Sequence, residues 1–248
     1  MNPRVQLFVT CLIDGFFPQV GDAVVMVLER AGVTVEFPFD QTCCGQPPFN
    51  AGFCDESRRI VHHMLDVLDA TEGPIVVPSG SCADMMIHHA PDLVAADPVR
   101  SAQAARVAAR VREFTTFLVE DLGLSDLGAR LEARAAYHPS CHGFRNLGIR
   151  HQPEQLLDAV DGVTRCELAD AEECCGFGGL FAVEMPDVSA AMMNRKLNAV
   201  EQSGADLLVG VDVGCLMHLE GGLRRRGTSH VRIRHIAEVL AGTIGDTR

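Results

Sequence analysis

Eight of the ten cysteines in this 248-residue chain fall into two copies of one pattern: Cys11, then Cys43-Cys44-Gly45, then Cys82; and Cys141, then Cys174-Cys175-Gly176, then Cys215. Thirty-one residues separate Cys11 from Cys43 and thirty-two separate Cys141 from Cys174, with unrelated sequence in between. Thiolates are soft, anionic donors that suit iron–sulfur clusters, zinc or copper(I), and four per site is the usual requirement of a 4Fe-4S cluster. Zinc also accepts four, but its sites typically use closely spaced C-x-x-C-type pairs, and neither half has one. Adjacent cysteines that serve one centre need an unusual turn, and Gly45 and Gly176 supply the backbone freedom for it, including positive φ. A metal cluster in each half is the leading expectation.

The elements that must position these sulfurs follow from patterning. Segments 4–9, 33–37 and 74–78 read as short buried strands alternating with amphipathic stretches near 19–31 and 56–70. In the second half, 133–137, 163–167 and 206–211 read as strands, with helical patterns near 153–160, 187–202 and 215–226. Residues 92–122 read as helices joining the halves. A boundary is expected near 123–132, dividing the chain into residues 1–125 and 126–248. The expected fold class is α/β, with two pseudo-symmetric, Rossmann-like parallel-sheet halves. Each cysteine group falls just after the first, second or third strand of its half, and ligands of open parallel sheets bind at the carboxyl ends of the strands. Four sulfurs are therefore expected to converge in each half.

Composition narrows the function classes. The 47% apolar content suffices for a buried core. No apolar run has the length of a membrane span, and the N-terminal MNPRVQLFVTCLIDG lacks a signal peptide's apolar core and cleavage site. A cytoplasmic location is expected, where cysteines stay reduced and a cysteine-rich pattern reads as metal binding or catalysis before disulfide framework. With 21 basic against 33 acidic residues, a formal charge of −12 and no Trp, nucleic-acid binding is not expected. No G-x-G-x-x-G follows a strand, so no intrinsic flavin or nicotinamide site is indicated.

The strings CCGQPPFNAGF at 43–53, PSGSCADM at 78–85, YHPSCHGFRNLG at 137–148, CCGFGGLFAVEMPDVSAAM at 174–192 and GCLMHLEG at 214–221 resemble the CCG-domain iron–sulfur proteins. The resemblance covers nearly the whole chain in order and is closest to the short lactate-utilisation branch of that family. Larger relatives include the iron–sulfur subunit of glycolate oxidase, the disulfide-cleaving subunit of heterodisulfide reductase and the corresponding region of anaerobic glycerol-3-phosphate dehydrogenase. Carried over residue by residue, the resemblance implies cluster ligands Cys11, Cys43, Cys44 and Cys82 in the first CCG repeat, and Cys141, Cys174, Cys175 and Cys215 in the second. It implies at most one cluster per half. The fullest family pattern ends each half with CxxC, whereas here Ser79 and Asp212 stand three residues before Cys82 and Cys215. The five-cysteine, disulfide-cleaving version is thus not matched, and a four-sulfur site fits a more ordinary cluster. Ferredoxin-like C-x₂-C-x₂-C-x₃-C-P runs are also absent. The resemblance implies an electron-transfer subunit, inactive alone, of a system oxidising L-lactate to pyruvate with two partners, a second iron–sulfur subunit and a third small protein.

Other residues have both a chemical and a plain reading. His138 and His142 flank Cys141 and His218 follows Cys215, so an imidazole could ligate iron, hydrogen-bond cluster sulfur or handle a substrate proton, although a lone histidine is more often structural. The first half has Thr10, Leu12 and Met85 in that vicinity. Gly176-Phe177-Gly178-Gly179 could cradle an anion, with close approach to a cluster the simpler explanation. Cys54 and Cys166 have no counterparts and read as packing residues. Met85-Met86 and Met192-Met193 read as core, His62-His63 and His88-His89 as surface or packing, and Arg145 and Arg150 as solvated. Two alternatives stay open beside the redox subunit: a thiol–disulfide oxidoreductase and a zinc-stabilised scaffold.

Overall fold

The structure is a computed structural model that describes residues 3–228 and 230–242. Its first half comprises β1 (Arg4–Leu7), α1 (Cys11–Phe16), α2 (Pro18–Arg30), β2 (Thr34–Glu36), α3 (Gln46–Asn50), α4 (Cys54–Asp69), β3 (Ile75–Val77) and α5 (Gly80–Asp84). A π-helical turn, Met85–His89, continues α5 into α6 (Ala90–Val94), and α7 (Pro98–Arg110), β4 (Val111–Glu113), α8 (Phe114–Thr116) and a second π turn, Phe117–Asp121, complete it. The second half comprises β5 (Arg130–His138), a π turn at His142–Asn146, α9 (Gln152–Asp158), β6 (Asp161–Cys166), α10 (Phe181–Glu184), α11 (Pro186–Ser203), β7 (Leu207–Gly210), α12 (Val213–Arg226), β8 (Arg232–His235) and α13 (Ile236–Ala241).

Both halves form a four-stranded, all-parallel sheet with the same order, β2-β1-β3-β4 and β6-β5-β7-β8. The two Rossmann-like halves expected from the sequence are present. Residues 92–122 are not wholly helical, however. Val111–Glu113 extend the first sheet beside β3, and Arg232–His235 play the same part beside β7, so each sheet has one strand more than patterning suggested.

Each sheet is covered on both faces, as all-parallel sheets require. On α2, Val20, Ala23, Val24, Val27 and Leu28 recur at helical spacing and are buried. Ala23, Val24, Val27 and Leu28 join Val5, Leu7, Ala135, Leu207, Ile236 and Leu240 in one core shared by the two halves. Separate cores fill the outer faces, one around Met64, Leu65 and Ile75 and the other around Leu197, Leu208 and Leu219. Arg30 latches the halves together by donating to the carbonyls of Leu240 and Ala241, both at 2.9 Å, at the carboxyl end of α13 where a cation is favoured. Among the described residues, no helix is long and apolar enough to cross a membrane.

Candidate metal centre

At four strand-to-helix junctions a short polar side chain next to or near a cysteine accepts from the first turn of the helix that follows. Thr10 accepts from the Ile13 N–H at the start of α1, Ser79 from the Cys82 N–H in α5, and Asp212 from the Gly214 N–H in α12. Ser140 accepts from the Gly143 N–H beyond Cys141. The structure brings Cys11, Cys43, Cys44 and Cys82 together, and likewise Cys141, Cys174, Cys175 and Cys215. Cys11 Sγ lies 3.5 Å from Cys43 Sγ, well beyond a disulfide bond, and all ten cysteines are free. In both halves the contacts run in the same order: the first cysteine faces the second, the second faces its neighbour, and that neighbour faces the last.

This order has an electrostatic consequence. Hydrogen bonds from Cys11 and Cys44 hold the Cys43 thiol far below its ordinary range, and those from Cys141 and Cys175 do the same for Cys174. Cys11, Cys44, Cys141 and Cys175 are pushed up, because each gives its hydrogen bond to an adjacent thiolate and is itself desolvated. One thiolate per half is thus favoured before any metal binds, and loading the remaining donors must release protons.

The paired cysteines are held by a device that repeats. Gly45 and Gly176 have φ of +90° and +89°, the left-handed conformation the turn was expected to need. A buried serine from the next long helix donates to each glycine's carbonyl, Ser57 to Gly45 and Ser189 to Gly176, both at 2.8 Å. These serines were not singled out from sequence. Their signal was a serine in the first turn of the helix that follows each CCG, twelve or thirteen residues on.

The two sulfur groups open on one cavity of about 540 Å³ between the halves, lined by Cys11, Cys44, Cys82, Cys141, Cys174, Cys175 and Cys215 together with His142, Phe177, Gly178 and Gly179. Its floor is a contact between the positions that lack a fifth cysteine. Asp212 Oδ2 accepts from the Ser79 hydroxyl at 3.1 Å and from the Ser81 N–H at 2.9 Å, so a second-half carboxylate helps cap a first-half helix. Beside it the backbones nearly touch: a Cβ on Gly80 would stand 3.0 Å from Gly143 Cα. A further tie is the buried Asp84, which accepts from His142 Nδ1 at 2.6 Å, His88 Nδ1 at 2.7 Å and Asn146 Nδ2 at 2.7 Å. Burial alone would raise its carboxyl, but these bonds hold it below the usual carboxylate range, and Asp84 in turn raises His142. Pairings 58 and 62 residues apart left no mark in the sequence.

Among the described residues, the one trio of candidate donors whose ligand atoms all lie within 4.8 Å of one another is His138, Cys175 and Cys215. His138 is 1% exposed, burial pulls it down to about 4, and it therefore offers a neutral imidazole. His218 is half-buried, lies 3.3 Å from Ser189 Oγ, and is lowered by burial. Neither Arg145, which donates to the Glu172 carbonyl, nor Arg150, stacked 4.1 Å from the centroid of Phe144, lines the cavity. Cys166 packs at the edge of the outer core, whereas Cys54 is exposed rather than packed. Met85, Met86 and Met193 are core residues.

The comparisons agree with this layout. A family model described as CCG, cysteine-rich domain, matches residues 5–87 and 135–220, one match to each half. Lactate utilization protein A of Exiguobacterium sp. is 47% identical over 239 residues, spanning 96% of this chain and 97% of that protein. The protein of the same name from Anoxybacillus flavithermus is 46% identical over 237 residues, spanning 96% and 98%. A crystal structure of a hypothetical protein from Helicobacter pylori shares the fold with a TM-score of 0.65 at 12% identity; it covers 99% of this chain, which spans about half of that one, 49%. Two matched repeats, two like sheets and two cysteine groups at their edges lead to one assignment: the chain belongs to the CCG cysteine-rich domain family.

Proposed function

We propose that the chain is an iron–sulfur electron-transfer subunit of a multi-protein system that oxidises L-lactate to pyruvate, working with a second iron–sulfur subunit and a third small protein. The observation that carries this reading is the duplicated chain of four sulfurs at the strand ends, opening from both sides on one cavity. Cys11, Cys43, Cys44 and Cys82 would hold one cluster, and Cys141, Cys174, Cys175 and Cys215 the other.

The donor set fits such a group. Four soft thiolate donors in each half suit a multi-iron centre, and the lack of closely spaced C-x-x-C-type pairs weighs against the zinc scaffold. When bound, an iron–sulfur cluster takes up and passes on single electrons. The residues around it hold its ligands at helix starts, where N–H groups favour thiolate, and keep water from the buried Cys44 and Cys175. The lactate system enters from the names of the relatives that match over nearly the full chain.

Protein purified without oxygen is expected to carry iron and acid-labile sulfide in equal amounts, to give a paramagnetic signal on reduction, and to restore lactate oxidation to the two partners. Metal-free protein that restores the full rate would overturn the proposal.

A further inference from the structure

His138 ends β5 three residues before Cys141, and the first half has Phe8 at the equivalent point three residues before Cys11. Both are buried, at 1% and 0% exposure, yet only the histidine brings polar atoms into the site. Neither Nδ1 nor Nε2 of His138 has a hydrogen-bond partner. Leaving buried polar nitrogens unsatisfied is costly, and an exception of this kind needs a cause. A ring nitrogen lies within 4.8 Å of both Cys175 Sγ and Cys215 Sγ. The other polar groups nearby are engaged. His142 Nδ1 is bound to Asp84, His218 Nε2 faces Ser189 Oγ, and Asp212 uses one oxygen for Gly214 and the other for Ser79 and Ser81.

We infer that His138 supplies a nitrogen ligand to the metal centre of the second half, which is then coordinated by four sulfurs and one imidazole while the first half uses sulfur alone. This rests on reading the quartets as metal sites.

The test uses the intact protein purified without oxygen from cells fed ¹⁵N-histidine, with iron, zinc and sulfide measured on the same sample. Pulsed paramagnetic resonance of the reduced protein is expected to show the strong nitrogen coupling of a directly bound imidazole, converted from the ¹⁴N to the ¹⁵N pattern by the label. His138→Gln should abolish that coupling, while His142→Gln and His218→Gln retain it. His138→Phe, which installs the residue of the first half, is the second variant. If neither His138 variant folds, a coupling retained in both control variants supports His138. Iron-loaded protein with no histidine coupling, with only the weak coupling of a hydrogen-bonded nitrogen, or with a coupling unchanged in His138→Gln overturns the inference and leaves the cluster reading standing. If the bound metal is zinc, the cluster reading falls, and X-ray absorption at the zinc edge decides His138 alone: a nitrogen scatterer lost in His138→Gln upholds it, and an all-sulfur shell overturns it. Folded protein that binds no metal overturns both.

Discussion

The two sulfur groups share their scaffold and differ in their surroundings. Strand order, cysteine order, the left-handed glycine and its serine clamp repeat from one half to the other. Around the second group, however, His138, His142 and His218 stand where the first has Phe8, Leu12 and Met85. Seven residues beyond each clamp serine, the first half buries Met64 and the second buries Lys196, whose Nζ donates to the carbonyls of Asp170 at 2.6 Å and Ala171 at 3.0 Å. Duplicated geometry fixes where a centre can form, and what the flanking side chains carry sets how it behaves. The buried cation and the imidazoles stand on one side alone, so the two sulfur groups differ in their electrostatic surroundings.

The largest effects should come from removing one buried sulfur at a time. Cys44→Ser and Cys175→Ser should each lose about half the bound iron, because each removes a buried sulfur ligand from one of the two centres. Each should abolish electron transfer to the partners. Iron analysis and resonance spectra of the two variants check this, and the spectra should differ from one another. Identical residual spectra would mean that the halves are not chemically distinct.

Substituting the turn glycines sharpens the comparison. A Cβ on Gly176 would stand 2.6 Å from the Ser189 carbonyl oxygen, whereas on Gly45 the nearest atoms are at 3.2 Å and belong to side chains. Both changes incur the left-handed strain of about 1–2 kcal/mol, and Gly176→Ala adds a backbone clash that should bring it to about 3 kcal/mol or more. Denaturant unfolding of both variants measures the difference.

The sheet edges predict opposite pH responses. Glu113 ends β4 and caps α8, and His235 ends β8 and caps α13. Burial pushes Glu113 up from 4.5 to about 7, so its stabilising contribution is full below 4.5 and is lost as pH rises through 7. Burial pulls His235 down from 6.5 to about 4, so its contribution is full above 6.5 and is lost as pH falls through 4. Each spans about 3 kcal/mol, and the two nearly cancel between pH 4.5 and 6.5. Relative to the unaltered protein, Glu113→Gln should therefore make stability climb more steeply with pH over that window, and His235→Asn make it climb less steeply, His138 adding a rising contribution of its own. Unfolding midpoints from about pH 4 to about pH 7.5 read both slopes.

Smallest is the asymmetry across the cavity floor. Asp212→Ala removes a cap and two charge-assisted bonds to the other half and should cost about 2–3 kcal/mol, whereas Ser79→Ala should cost about 1 kcal/mol. Thermal unfolding of the two variants checks the order.

The features that define the halves were legible because they are local. Continuous apolar runs such as Ile75–Val77 mark buried strands, and the cysteines follow them directly. The edge strands were missed for a physical reason. Val111–Glu113 is three residues long and follows the Ala- and Arg-rich α7, while Arg232–His235 alternates buried residues with half-buried arginines, so neither presents an apolar run. Long-range polar ties were beyond reach altogether. Nothing near Asp84 announces His142 or Asn146, and Asp212 reads as a substitution for cysteine until the fold sets it against Ser79 and Ser81. His138 stands out in the sequence only as a flanking residue, because its unsatisfied nitrogens are a property of packing and not of spacing.

Crystals grown without oxygen and measured on both sides of the iron absorption edge test the central claim most directly. Two anomalous peaks are expected, one among Cys11, Cys43, Cys44 and Cys82 and one among Cys141, Cys174, Cys175 and Cys215. Peaks that fall elsewhere, or sulfurs ordered around no iron at all, would contradict it.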